Sequence, residues 1–431
     1  MFNLEGRSEL WVAETLTAVN PRICVLTAGH LSTCPRMLKA ADAFVSAGYS
    51  VRVVSTNHVP WSWSADQTML GKSWVWDVIP YDRHRAPWTY LWTGTRQRIT
   101  QRIASAIGPY NCSLPLTARA FSRVHTELVR AALSDKADLF YGGTTGGLAA
   151  TAEAARRANI PYAIDLEDFY SAEHDDTPGG SLMNLIAERI EGAVLPRAAF
   201  ITTASSAIGN AYREKYRVSP VVVNNTFPLP KSEPRALARS GEPLKLYWFS
   251  QTVGPGRGLE EVIEAVGLAR ISAELHLRGR AIPSYIANLS RLAMKVAPQL
   301  VVIHYDPAPP DLMVSLCNDY DVGLAVEQTT PLNRALCLTN KIFTYLLAGL
   351  AVVVTDTPGQ GSLGRELADG AILYKPGDVA TLATGLRRWA QDKSELRKAK
   401  LASWQAACRR WHWEHPQERG ALLAAVAGAL K

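Results

Sequence analysis

In 431 residues no apolar run reaches the roughly 18 to 20 residues that a bilayer-spanning helix needs. The opening stretch, MFNLEGRSELWVAETL, has acidic residues where a secretion signal carries a basic start and an apolar middle, so the expected location is the cytoplasm. Cysteine is scarce and unpatterned. The six residues, at 24, 34, 112, 317, 337 and 408, form no C-x-x-C pair and have no histidine at metal-ligand spacing. That argues against a zinc site and for reduced, mostly packed thiols. Low-complexity blocks and long charge runs are also missing. What remains, 47% hydrophobic and 20% charged residues, is the composition of a soluble globular protein.

The length exceeds one ordinary core and suits two domains of about 200 residues each. The formal charge of +7 is modest but unevenly placed, since residues 67–126 hold eight Lys or Arg against two acids. The same region and the stretch before it carry Trp61, Trp63, Trp74, Trp76, Trp88 and Trp92. Trp mixed with Arg suits a membrane surface or an acidic or glycosidic ligand, and peripheral contact of the 59–112 region with the inner face of a membrane is one expectation. The other is a basic, solvated surface around core tryptophans. Nothing in the charge pattern calls for nucleic acid.

The chain is organised around LKLYWFSQTVGPGRGLEEVIEAV, residues 244–266. Leu244–Phe249 reads as a buried strand and the glycines at 254, 256 and 258 as a tight loop. Leu259, Val262, Ile263 and Val266 recur at helical spacing. A strand–glycine loop–helix turn aims unpaired backbone N–H groups and the positive helix end at one point, where Arg257 adds a full charge, so an anion such as a phosphate is its natural guest. The G-x-G-x-G spacing is not the dinucleotide G-x-G-x-x-G, and a plain turn is the alternative.

Before this stretch, Ile23–Leu26 and Tyr49–Val54 read as strands around a helix at 36–46, a βαβ unit whose Gly29 lies in the loop after the first strand. The 59–112 region breaks the pattern and reads as an insertion or a partly helical acceptor-side region. Alternation resumes with strands at 138–141, 162–165, 200–203 and 221–224. A GGTTGG loop (142–147) follows the first of these, and the acidic loop of Glu167, Asp168, Glu173, Asp175 and Asp176 follows the second. The Pro- and charge-rich 227–243 reads as a linker. A second series then gives strands at 244–249, 274–277, 300–304, 322–326 and 351–355, with helices to the end. The expected fold is α/β: two Rossmann-like doubly wound domains facing across a cleft, spanning 1–226 and 244–411, with the terminal helix 412–431 packing back on the first.

RICVLTAGHLSTCPRMLKAADAFVSAGYSVRVV (22–54), SQTVGPGRGLEEVIEA, DVGLAVEQTTPLNRALCLTNKIFTYLLAGLAVVVTD (321–356) and the closing RRWHWEHPQERGALLAAV together resemble the retaining glycosyltransferases of the GT-B fold, specifically family 4. The resemblance covers the chain from about residue 20 onward, apart from the Trp/Arg region. It implies a UDP- or GDP-sugar held mainly by the second domain, and a glycan, lipid-linked or small-molecule acceptor held by the first. It implies transfer with no metal or other cofactor required. In that reading Arg257 and Lys341 neutralise the leaving diphosphate, Gly29 and Gly258 let backbone approach it, and Asn340 and Thr344 hold donor hydroxyls. Arg36 and Thr144 serve a phosphate or the acceptor, and Glu167 or Asp168 takes the acceptor proton. The residue readings leave simpler alternatives open: a helix N-cap for Asn340, a surface salt bridge for Arg36, a solvated loop or a divalent-ion site with His174 for residues 173–176. Asp319 and Asp321 form a D-x-D, read as a strand entrance and not a metal site.

Three departures from the family pattern stand out. The ribose-binding glutamate of the family's E-x7-E is Thr344 here, with Leu336 at the earlier position. The arginine after the first C-domain strand is Gln251, and the histidine that often follows the 138–141 strand is replaced by GGTTGG. Two other classes therefore stay in view: a catalytically silent subunit that keeps the fold for binding, and a sugar-nucleotide epimerase on the same fold.

Overall fold

The structure is a computed structural model and describes residues 20–59, 63–67, 70–235 and 243–431. The opening stretch, Trp61 and part of the linker lie outside the described residues. Two parallel sheets carry the fold. The first contains β1 (Arg22–Thr27), β2 (Ser50–Asn57), β3 (Val75–Pro80), β4 (Leu139–Gly143), β5 (Tyr162–Leu166), β6 (Phe200–Thr203) and β7 (Val221–Val222), in the order β3-β2-β1-β4-β5-β6-β7. The second contains β8 (Leu244–Val253), β9 (Ala273–Ala281), β10 (Leu300–Tyr305), β11 (Val322–Ala325), β12 (Ala351–Thr355) and β13 (Ala371–Tyr374), in the order β10-β9-β8-β11-β12-β13. Each order reverses once, between β1 and β4 and between β8 and β11. Loops at the carboxyl ends of such strand pairs part to opposite faces and leave a crevice.

Both sheets are covered by helices, so their strands read as near-continuous apolar runs. In β1 all residues but the first are buried, and β12 is buried throughout. The second core joins Leu246, Trp248, Val262, Ile263, Leu275, Leu324 and Val353. Residues 421–429 form a helix whose Leu422 and Val426 pack with Ile23, Val25, Phe44 and Val53 of the first core. Ahead of it, Glu418 accepts from the backbone N–H and the amide of Asn224.

Edge strand β3 escaped the sequence reading, and the partly helical character expected of 59–112 takes the form of one long helix. Edge strand β3 lies in the Trp/Arg region, where Val75 and Val78 face solvent and blur the expected alternation. The same region holds a 21-residue helix, Pro87–Ile107, which starts with proline in its first turn and ends at Gly108 with φ 82. Two short helices, Leu114–Phe121 and His125–Ala132, follow it.

Candidate functional site

Gly29 follows β1, its N–H directed at the Thr27 hydroxyl and its carbonyl accepting from Thr56 N–H. A Cβ at Gly29 would stand 3.0 Å from Cys34 Sγ, so the loop is tightly seated. The facing loop after β4 explains its glycines by packing: a Cβ at Gly142 would overlap Thr151, one at Gly143 would meet Met37, and one at Gly146 would meet Ala28. Thr144 has φ 66, uncommon for a β-branched residue, and its hydroxyl accepts from Ala28 N–H at 3.1 Å. Thr144 thus ties the two switch-point loops together through its side chain.

Arg36 is neither a free phosphate ligand nor part of a surface salt bridge. It is buried, its Nε and Nη2 donating to Asp165 at 2.7 and 2.5 Å and its Nη1 to the Val223 carbonyl at 2.6 Å. Burial works against its charge, but the Asp165 carboxylate outweighs this and raises its pKa. One helical turn on, Lys39 donates to the Asn225 side-chain carbonyl at 2.7 Å, and the Asn225 amide donates to Glu167 at 3.1 Å. Burial and the Arg36 charge lower Lys39 to about 7. Burial and the Asp168 carboxylate raise Glu167 to about 7. The two groups share one amide and are displaced toward each other. Glu173, expected in a solvated loop, is half-buried and likewise raised to about 7 by burial and its acidic neighbours Asp168 and Glu167.

Asp168 makes a different contact. It accepts from the Asn333 amide at 2.8 Å and from Cys337 Sγ at 3.3 Å, while Asn333 Oδ1 accepts Phe169 N–H at 2.7 Å. The acidic loop of the first sheet is therefore pinned to the short helix Leu332–Leu336 of the second. Ser205 donates to the Leu336 carbonyl at 2.8 Å beside it.

On the second sheet, β8 runs four residues further than its apolar run suggests, and residues 254–258 turn into the helix Leu259–Ala269. Gly258 has φ 71, and a Cβ there would lie 2.4 Å from the Val326 carbonyl, so glycine is required twice over. Lys341, in the first turn of the helix Asn340–Leu347, is buried with its Nζ 2.8 Å from Glu327 Oε1 and 5.6 Å from the centre of the Trp248 ring. Glu327 follows β11. Burial opposes its charge, but Lys341, Arg257 and Arg334 together hold it below the usual carboxylate range. Arg257 is pushed down by burial and by the like charge of Arg334. Arg334 donates to the Gly256 carbonyl and so holds the glycine loop. Three cations thus surround one carboxylate at the second switch point, an excess of positive charge beside the N-terminal ends of two helices. Such a place accepts a multiply charged anion.

The remaining expectations divide. Asn340 is the first helical residue, Thr339 takes the N-cap position, and the Asn340 amide has no hydrogen-bonding partner among the described residues. Thr344 does not present its hydroxyl to a ligand: it is 1% exposed and donates to the Asn340 carbonyl one turn back. Asp321 pairs with buried Lys400 at 2.7 Å and accepts from Lys245 N–H, a structural role at the entrance to β11. Among the described residues no group of His, Cys, Asp or Glu could hold a metal ion. Arg334, Lys39 and Asn333 were missed, because their partners are distant in sequence, and the role of Glu327 was missed because a loop and a short helix separate it from Lys341. Only the charge of Glu327 directly after an apolar strand could have signalled it.

Residues 35–226 match the family model of the glycosyl transferase 4-like domain. Comparison with curated protein sequences gives no match. Among solved structures, Anabaena HepE in complex with UDP and glucose aligns at 16% identity with a TM-score of 0.64, over 95% of this chain and 99% of that one. Staphylococcus aureus TarM, a mutant in complex with fondaparinux, alpha-GlcNAc-glycerol and UDP, aligns at 8% identity and TM-score 0.64, over 95% and 100%. Sucrose-phosphate synthase from Thermosynechococcus elongatus aligns at 12% and 0.63, over 95% and 98%. The fold is therefore GT-B, with two parallel-sheet α/β domains. The match to the glycosyl transferase 4-like model covers 35–226, under half of the chain, and lies in the half where the sequence resemblance begins.

Proposed function

We propose that the chain moves a hexosyl or N-acetylhexosaminyl group from a nucleotide-diphosphate sugar to a hydroxyl acceptor, with retention of configuration and without a required metal. The observation that carries the reading is the convergence of Arg257, Lys341 and Arg334 on Glu327, where the β8 and β11 loops part. A departing nucleoside diphosphate needs its developing charge met by fixed donors that do not reorganise during the step. Arg257 and Lys341 supply that charge, Gly258 keeps the loop free of a side chain, and the Asn340 amide, without a partner among the described residues, is offered to a donor hydroxyl. HepE and TarM, solved with UDP bound, support a uridine nucleotide over guanosine. On the acceptor side Glu167 is the better base. Asp168 is committed to Asn333, whereas Glu167 has a pKa of about 7, suited to taking a proton near neutrality. Gly29 and Thr144 shape the loop opposite the diphosphate.

A thermal-shift comparison of UDP, GDP and their sugars tests this directly. A ligand at 100 times its dissociation constant stabilises by about 2.7 kcal/mol. Stabilisation by a nucleoside diphosphate, and product formation when a hydroxyl acceptor is added, is the expected outcome. Binding without any turnover would leave a silent GT-B subunit, and absence of nucleotide binding would remove the site.

A further inference from the structure

The helix Pro87–Ile107 has its faces reversed relative to an ordinary surface helix, which turns its large apolar residues to the core. Toward the protein it presents Thr93, Gln97, Thr100, Gln101 and Ala104. Gln97 and Gln101 donate to the Ala120 carbonyl at 3.3 and 3.0 Å, Thr93 accepts from Arg123, and Arg96 is paired with Glu127 at 2.5 Å. Toward solvent it presents Trp88 (83% exposed), Trp92 (64%), Ile99 (51%) and Ile103 (38%), with Leu91 and Ile107 also exposed. At 3.6 residues per turn, Trp88, Trp92, Ile99 and Ile103 lie within about 60° of one another, so the stripe is continuous along the helix.

The charge beside the stripe has one sign. No acidic residue occurs between Asp82 and Glu127. Arg83 and Arg85 precede the helix, and Arg98 and Arg102 flank the stripe. All four are exposed, and Arg98 and Arg102 make no ion pair among the described residues. A second copy of the chain docked face to face would set these arginines against each other, with no carboxylate on the stripe to compensate. An anionic lipid surface meets both demands: phosphate head groups for the arginines, acyl chains for the isoleucines, and the boundary between them for the two tryptophans. The helix cannot cross a bilayer, since no described helix is long and apolar enough. Its Trp end follows β3, whose carboxyl end lies two strands from that of β1: Tyr81 N–H bonds the Asn57 carbonyl at the end of β2, and Thr56 N–H of β2 bonds the Gly29 carbonyl.

We propose that the outward face of Pro87–Ile107 is a peripheral membrane-binding surface for anionic lipid, seated parallel to the bilayer beside the acceptor side of the cleft. Co-sedimentation of the full chain with vesicles tests it, using phosphatidylcholine alone and a roughly three-to-one mixture with phosphatidylglycerol. The expected result is binding to the mixture that weakens with salt, and little binding to phosphatidylcholine. R98E/R102E should bind the mixture at least tenfold more weakly, and I99D/I103D should not bind. These side chains are exposed, so the melting temperature and UDP titration of both variants should match the parent, separating loss of this surface from loss of the nucleotide site. Parent protein that stays in the supernatant with both vesicles, I99D/I103D that pellets like the parent, or a solution dimer that I99D/I103D dissociates would each overturn the proposal.

Discussion

Lys341 Nζ lies 2.8 Å from Glu327 Oε1 with both side chains buried, fourteen positions apart in sequence and on opposite sides of a loop and a short helix. Removing one partner of a buried pair leaves an uncompensated charge, which typically costs about 3 to 5 kcal/mol. Lys341→Met should therefore lower the melting temperature clearly and abolish UDP binding. Glu327→Gln, which keeps a hydrogen-bond acceptor for Lys341, should destabilise less. Denaturant unfolding and UDP titration of the two variants measure this, and equal stability of Lys341→Met and the parent would contradict it.

Arg257 should separate the two effects. Its pKa is lowered by burial and by Arg334, so its charge is disfavoured where it sits until an anion arrives. Arg257→Ala is expected to leave the melting temperature unchanged or slightly raised, while UDP affinity or turnover falls tenfold or more. That is the loss of a charged hydrogen bond of about 1.5 to 3 kcal/mol. Calorimetric titration decides it; unaltered affinity would remove Arg257 from the diphosphate site.

The pH dependence follows from Glu167. Its pKa is raised from 4.5 to about 7, so the folded protein holds this proton more tightly than the unfolded chain. The stability it contributes is fully present below 4.5 and is lost as pH rises through about 7. Glu167→Gln should raise stability at pH 8, on the order of 1 kcal/mol, and little at pH 4. Transfer should show the opposite trend, with kcat/KM rising through about pH 7 in the parent and the limb flattened, at low rate, in Glu167→Gln. Because the Lys39 charge helps hold Glu167 down, Lys39→Met should move the limb to higher pH. A limb that stays in place in Glu167→Gln would assign it to another group.

Gly258→Ala combines a positive φ of 71 with a Cβ 2.4 Å from the Val326 carbonyl. The loop must shift, at a cost of about 1 to 3 kcal/mol for the strained backbone alone. Reduced UDP affinity together with a lower melting temperature is expected, whereas Gly48→Ala, also at positive φ but with open space around it, should cost stability and leave UDP binding intact.

Asn333 joins the two halves through Asp168 and Phe169 N–H. Asn333→Leu leaves that N–H without its partner and that carboxylate with only Cys337 Sγ. Small-angle scattering should show a larger radius of gyration, and the sugar donor should bind more weakly than UDP alone relative to the parent. An unchanged scattering curve would show that Asn333 does not set the domain spacing.

The alternation of strands and helices was legible because each βα unit is written locally: apolar runs such as AVVVT give strands, and spaced apolar residues after Gly258 give a helix. Edge strand β3 and the bounds of the Pro87–Ile107 helix were not, because their apolar residues face outward and pattern reading assumes that they face a core. Arg257 could be named from glycine-loop chemistry, since that signal lies within a few neighbouring residues, whereas Lys341 entered with the family resemblance.

By itself the sequence determined the fold class and the two glycine-bearing switch-point loops, both properties of segments shorter than about 30 residues. Tertiary structure alone decided which charges are spent internally. Arg36 goes to Asp165 across 129 positions and Asp168 to Asn333 across 165, while Thr344 turns to its own helix. A side chain's partner depends on which strands lie side by side, and strand order is set by the packing of whole sheets, not by any local stretch of chain.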